Sequence, residues 1–160
     1  MTLYLIFALT SLVAPGIEAL TDLAADNSVA LKSRAPIVLY VSRSDCTFCR
    51  RFEKDVLSPL LRSKRFFGEV LFRELEMDAP SAVRGSVRDR HGNLTSAKEL
   101  AQALGVHVTP TVLFLDGNGR KLNRSILGYD GNEYASYYLE RAISQAIIRA
   151  AEHQTDKQQN

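Results

Sequence analysis

Apolar positions along the chain alternate between helical and strand-like spacing, and that alternation predicts the order of elements. From Leu20 to Ser33 the apolar residues are Leu20, Leu23, Ala24, Val29 and Leu31, which predicts a short amphipathic helix capped by Thr21 or Asp22. Pro36 then introduces Ile37-Val38-Leu39-Tyr40-Val41, an unbroken run that predicts a strand buried on both faces. Ser42 to Asp45 is a polar turn. A helical pattern starts at Cys46 and runs through Cys49, Phe52, Val56 and Leu57. Ser58-Pro59 predicts an interruption, with Ser58 capping and Pro59 opening a new helical turn. Val70 to Met77 predicts the second strand, closed by Asp78-Ala79-Pro80.

Gly85 to Leu94 fits a small hairpin or loop around His91-Gly92-Asn93. Ser96 with Glu99 three residues on predicts a capping box, and Leu100, Ala103 and Leu104 give that helix its apolar face up to Gly105. Val112 to Leu115 predicts a third strand. Asp116-Gly117-Asn118-Gly119 predicts a tight hairpin turn, and Leu122 to Leu127 the returning fourth strand. A final helix starts near Asn132-Glu133, with Tyr134, Tyr138, Leu139, Ala142, Ile143, Ala146 and Ile147 on one face. This order predicts an α/β fold: one central mixed sheet, a parallel pair joined by a helix plus an antiparallel hairpin, with helices on both faces.

Composition narrows the class. The chain has 160 residues, 46% hydrophobic and 24% charged, with 20 Lys+Arg against 18 Asp+Glu. These values exclude collagen-like and charge-driven disordered chains. A net charge of +2 gives no nucleic-acid footprint. Two cysteines cannot make a disulfide-rich scaffold.

The two ends differ from the middle. Met1 to Ile17 carries no charged side chain, and its apolar stretch is shorter than the ~20 residues a membrane-spanning helix needs. It reads as a secretory signal ending near Ala19, with Ala14-Pro15-Gly16 as the other boundary. An uncleaved N-terminal anchor and a buried element of the domain stay open. The domain proper is expected over 20–151, followed by a flexible polar tail over 152–160.

Both cysteines lie at the start of the first helix after the buried strand, as Cys46-Thr47-Phe48-Cys49. Free N–H groups and the helix dipole favour an anion there, so a thiolate is stabilised. Cys46 is placed to attack a disulfide, and Cys49, one turn later, to resolve the mixed disulfide. Arg43, Arg50 and Arg51 add positive charge nearby. Three other readings compete. A structural zinc site needs four ligands, and only His91, His107 and His153 stand beside the pair, so no metal is expected. Haem attachment needs His after the second cysteine, where residue 50 is Arg. A purely structural disulfide stays open. Thr109-Pro110-Thr111 directly precedes the third strand, as either an ordinary trans turn or a cis peptide.

Cys46-Thr47-Phe48-Cys49 after Val38–Val41, with Val108-Thr109-Pro110-Thr111 some sixty residues on, resembles the thioredoxin superfamily over roughly residues 35–150. More narrowly the chain is similar to periplasmic thioredoxins of the SoxW type. That likeness rests on Arg88–Asn93 leading into Ser96–Ala101, on Gly105-Val106, and on Phe114, Gly119, Arg124 and Gly128-Tyr129. A weaker likeness to the C-terminal domain of the transporter DsbD covers Cys46 to Pro59.

The resemblance implies the thioredoxin fold and a thiol-disulfide oxidoreductase that reduces disulfides of exported partners. It implies a monomer with no cofactor beyond its own redox-active disulfide, re-reduced by a membrane electron carrier of the DsbD or CcdA kind. An oxidase, an isomerase, or a non-catalytic binding module with a structural disulfide are the alternatives. It further implies that Pro110 is cis beside the sulfurs, that the Thr109 backbone binds an extended partner, and that Phe48 and His107 flank the groove. The chain departs from cytoplasmic thioredoxin at Tyr40, where that family keeps a buried carboxylate. Glu74 on the neighbouring strand is the candidate proton acceptor, with a solvent-facing strand residue as its other reading.

Overall fold

The computed structural model describes residues 17–84 and 94–155. Its elements in chain order are β1 (Glu18–Ala19), α1 (Leu23–Ser33), β2 (Ile37–Ser42), α2 (Thr47–Phe52), α3 (Ser58–Ser63), β3 (Leu71–Glu76), β4 (Ala82–Arg84), β5 (Leu94–Ser96), α4 (Ala97–Ala103), β6 (Thr111–Leu115), β7 (Ile126–Leu127) and α5 (Ala135–Thr155). Five strands form one mixed sheet in the order β1-β3-β2-β6-β7. The strands β1, β3 and β2 run parallel, while β6 is antiparallel to both β2 and β7. All six residues of β2 are buried, as its unbroken apolar run requires.

Successive side chains of the sheet enter two cores. Val38, Tyr40, Val112 and Phe114 pack with Cys49, Phe52, Val56, Leu57 and the buried stripe Leu139, Ile143, Ala146 and Ala150 of α5. On the other face, Ile37, Leu39, Val41, Leu113 and Leu115 meet Leu23 and Ala30 of α1 and Ala97, Leu100 and Ala101 of α4. This is the thioredoxin fold, with helices on both faces of the mixed sheet.

The local signals act largely as expected. Asp22, rather than Thr21, caps α1 by accepting from the Ala25 N–H at 2.9 Å. Ser96 and Glu99 form the capping box of α4. Asp116 organises the hairpin turn, accepting from the Asn118 and Arg120 amides at 2.8 and 2.9 Å and from the Arg120 guanidinium. Gly117 lies in that turn against α1. A Cβ on it would stand 2.6 Å from Leu31 Cγ and 2.9 Å from the Asn27 carbonyl oxygen.

Four expectations change. First, no break occurs at Ser58-Pro59: α2 continues into α3 through a widened π-helical turn, Glu53–Leu57. Proline has no N–H and its ring crowds the carbonyl four residues back. The wider turn, in which the Ser58 N–H donates to the Glu53 carbonyl, absorbs that misfit without a new cap. Second, the strand expected over Leu122–Leu127 shrinks to Ile126–Leu127. Between the bridge at Lys121 and that strand, the Asn123 side chain donates to the Ala142 carbonyl of α5 and pulls the chain off the ladder. Third, Glu18–Ala19, expected to lie in the leader, forms an edge strand on β3. Arg73 holds that edge to α1, bonding Asp26 through Nε and Nη2 at 2.8 Å each and Glu18 at 2.9 Å. Fourth, α5 runs on to Thr155, past the expected start of the tail. The expected hairpin around His91-Gly92-Asn93 lies outside the described residues; its flanks β4 and β5 pair antiparallel.

Candidate active site

The polar turn after β2 delivers Cys46 to the start of α2. Cys46 is the N-cap residue, and its sulfur accepts from the Cys49 N–H at 3.1 Å. One orphan amide of the helix terminus is thus aimed at the sulfur that the sequence marks as nucleophile. Cys46 and Cys49 form a disulfide with Cα atoms 5.2 Å apart. Their environments differ: Cys46 is half-buried, while Cys49 is 1% exposed and packed in the core. A partner can reach only the first sulfur.

Across from the pair, the Thr109–Pro110 peptide is cis, as the resemblance implied. The Thr109 hydroxyl lies 3.5 Å from the Cys46 sulfur. The turn is pinned on both sides: the Val108 carbonyl accepts from the Thr111 hydroxyl at 2.7 Å, and the Pro110 carbonyl from the Gly128 N–H at 2.7 Å. Gly128 takes a φ of +70°, in the region that favours glycine. Beside this turn lies a largely apolar groove of about 490 Å³. Thr109, Phe48, Phe52, Leu127, Tyr129 and Tyr138 are among its walls. Phe48 is 54% and Leu127 63% exposed. His107 is exposed but does not line the groove.

Behind Cys49 a polar cluster replaces a single buried acid. Tyr40 is fully buried, and its hydroxyl donates to the Glu53 carboxylate at 2.8 Å and lies 3.4 Å from the Cys49 carbonyl oxygen. Burial, and then the Glu53 carboxylate, hold this phenol far above its ordinary value, so it remains a donor. Glu74 pairs in register with Tyr40 and accepts from the Ser42 hydroxyl at 2.6 Å. Glu74 is therefore half-buried on the Tyr40 face rather than directed at solvent. Burial pushes its carboxyl above the usual range; the Ser42 bond opposes this, while the Glu53 and Glu76 charges add to it.

The arginines are more occupied than expected. Arg43 is held by Asp45 at 2.7 Å, which takes up its charge. Arg51 lies over the Tyr129 ring, 5.9 Å from its centroid. Arg50 stays at the helix start, bonding Thr47 and the Ser44 carbonyl at 3.2 and 3.3 Å. Glu53 and Leu127 went unmarked in the sequence, and Tyr129 was marked only as part of the resemblance, not as a wall of the groove. Glu53 had a legible signal, because it stands four residues after Cys49 and shares its helix face. Leu127 had none, since only the hairpin's return brings it beside Phe48. No metal-holding cluster of His, Cys, Asp or Glu occurs among the described residues.

A family model described as a thioredoxin-like domain matches residues 23–143. No curated protein matches the chain. Among solved structures, a DsbH oxidoreductase is 22% identical with a TM-score of 0.53, over 84% of this chain and 90% of that one. Fasciola hepatica thioredoxin is 17% identical with a TM-score of 0.53, covering 81% and 99%. Oxidised thioredoxin O2 from Arabidopsis thaliana is 20% identical with a TM-score of 0.50, covering 82% and 94%. At these identities the likeness to solved structures is one of fold.

Proposed function

Because the chain belongs to the thioredoxin-like domain family, we propose that it is a thiol-disulfide oxidoreductase that reduces disulfides of exported proteins. The observation that carries this reading is the asymmetry of the pair: a half-buried Cys46 sulfur at a helix N-cap, a buried Cys49 behind it, and the cis Thr109–Pro110 turn alongside. A structural disulfide needs neither that exposure nor an amide aimed at one sulfur.

In the reduced protein, Cys46 thiolate attacks one sulfur of a partner disulfide. A Cys46–partner bond forms and one partner thiolate leaves. Cys49, losing its proton, then attacks Cys46, which forms the internal disulfide and expels the second partner thiolate. Two electrons pass from the Cys46/Cys49 pair to the partner, and the two partner thiolates take up protons. The Thr109 backbone is suited to hold an extended partner strand, and Phe48 and Leu127 to cover its side chains. Glu53 and Glu74 are the candidates to receive the Cys49 proton, with Tyr40 bridging the first of them to the Cys49 backbone. The disulfide must be re-reduced by a two-electron donor, for which a membrane carrier of the DsbD or CcdA kind fits a SoxW-like protein.

The uncharged start of the chain supports export to the periplasm. Ile17 packs on the core and Glu18 pairs with Arg73, which favours a processing boundary at Ala14–Gly16 over one after Ala19. The mass of the exported protein tests this boundary.

The redox reading is tested with two variants and one potential. Cys49→Ser should trap mixed disulfides through Cys46, and Cys46→Ser should trap none. The disulfide should equilibrate near the potential of a thioredoxin-like reductant, about −270 mV, rather than an oxidant's −120 mV or so. A bond that dithiothreitol leaves intact, with no insulin turnover, would refute the enzymatic reading.

A further inference from the structure

We propose that the pole of the fold opposite the disulfide docks on an anionic phospholipid bilayer and holds Cys46 facing away from it. This inference does not depend on the exchange chemistry. Phe67 is 85% exposed, the most exposed large apolar side chain among the described residues. Its position is built by the backbone: the Phe67 N–H donates to the Lys64 carbonyl at 3.0 Å, and the Glu69 N–H to the Phe66 carbonyl at 3.1 Å. Behind the turn lies a groove of about 430 Å³ whose walls include Leu60, Leu61, Phe66 and Phe72.

Exposed cations lie on the segments at this pole. Arg62 and Lys64 are exposed on the same turn of chain. The end of α1 adds Lys32 and Arg34, because the Pro36 carbonyl accepts from the Leu71 N–H at 2.9 Å and so sets residues 34–36 beside the start of β3. The acids nearby are Glu69, which is exposed, Glu140, which pairs with Arg65, and Glu18, which pairs with Arg73. An exposed ring framed by an excess of Lys and Arg suits the boundary between headgroups and acyl chains of an anionic leaflet.

Chain direction supplies the second argument. Since β1 runs parallel to β3 with Glu18 opposite Arg73, Ile17 lies toward the Leu71 end of the sheet, the pole that bears Phe67. The sixteen residues before Ile17 carry no charged side chain and include the apolar run Leu3–Leu9. The disulfide follows the opposite end of β2, six residues or about 20 Å away.

The chain contains no tryptophan, so Phe67→Trp gives a single indole reporter. With vesicles of phosphatidylcholine containing phosphatidylglycerol, its emission should shift to the blue and be quenched by brominated acyl chains. Vesicles of phosphatidylcholine alone should give no shift. Arg62→Glu with Lys64→Glu, made in the Phe67→Trp chain, should weaken binding at least about tenfold, each cation contributing roughly fivefold. Phe48→Trp, at the disulfide end, should report no change. Unchanged emission at position 67 overturns the proposal, as does an indole shift at position 48. An equal shift on neutral vesicles also overturns it, because the exposed cations would then play no part in binding.

Discussion

Leu127 tests whether the groove beside the disulfide is a partner site. Its side chain is 63% exposed on β7, on the wall shared with Phe48 and Thr109. Covering a leucine fully is worth about 2 kcal/mol, so the exposed part offers a partner roughly 1.3 kcal/mol. Leu127→Ala keeps the Cβ, and the expected loss is about 1 kcal/mol, or about fivefold in the second-order rate with a protein disulfide. Stability should change little, because most of the side chain is already in water. The assay compares two substrates of the reduced protein: insulin, which can fill the groove, and 2-hydroxyethyl disulfide, which is too small to do so. Insulin reduction should fall about fivefold while the small disulfide reacts unchanged. An equal loss on both would mean that the substitution disturbs the sulfurs, and no loss on either would mean that the groove is not used.

Two further substitutions probe what holds the site. Asp26→Ala removes two 2.8 Å bonds from Arg73, both groups being nearly buried, and leaves the guanidinium with Glu18 and the Phe72 carbonyl. The expected loss is about 2–3 kcal/mol, read as a lower urea midpoint at unchanged slope; a loss below about 0.5 kcal/mol would show the pair to be idle. Glu74→Gln tests the raised carboxyl. A carboxyl lifted by burial adds its full stability below its unfolded value and loses that contribution as the pH rises through its folded value. The glutamine variant should therefore be more stable than the parent at pH 7 and equal to it near pH 3, with the opposite pattern refuting burial as the cause.

The redox pair, its helix and the buried strand before it were readable because each is a local pattern. Cys46 at a helix start, the capping box at Ser96 and the turn at Asp116 each involve residues within four positions of one another. What escaped the sequence reading depends on distant neighbours. The edge strand at Glu18 exists because Arg73 waits for it, fifty-five residues on. The π-helical turn before Pro59 is a compromise between a proline and a helix already packed against α5, and the dipeptide alone points to a break. The resemblance located the cis turn at Pro110. The wall that Leu127 adds to the groove was beyond it, because the return of the hairpin is set by Asn123 reaching α5.

Gly117 carries a constraint of another kind. With Leu31 Cγ at 2.6 Å and the Leu31 backbone nitrogen at 2.7 Å from where a Cβ would stand, the hairpin tip and α1 are fitted to each other with no room for even a methyl group. Backbone cannot step aside as a flexible side chain can. A relative that carries alanine at this position must therefore have moved its first helix outward or shortened its hairpin. The two segments should therefore change together, a length change in the 116–120 loop being accompanied by a change at the positions equivalent to Asn27 and Leu31.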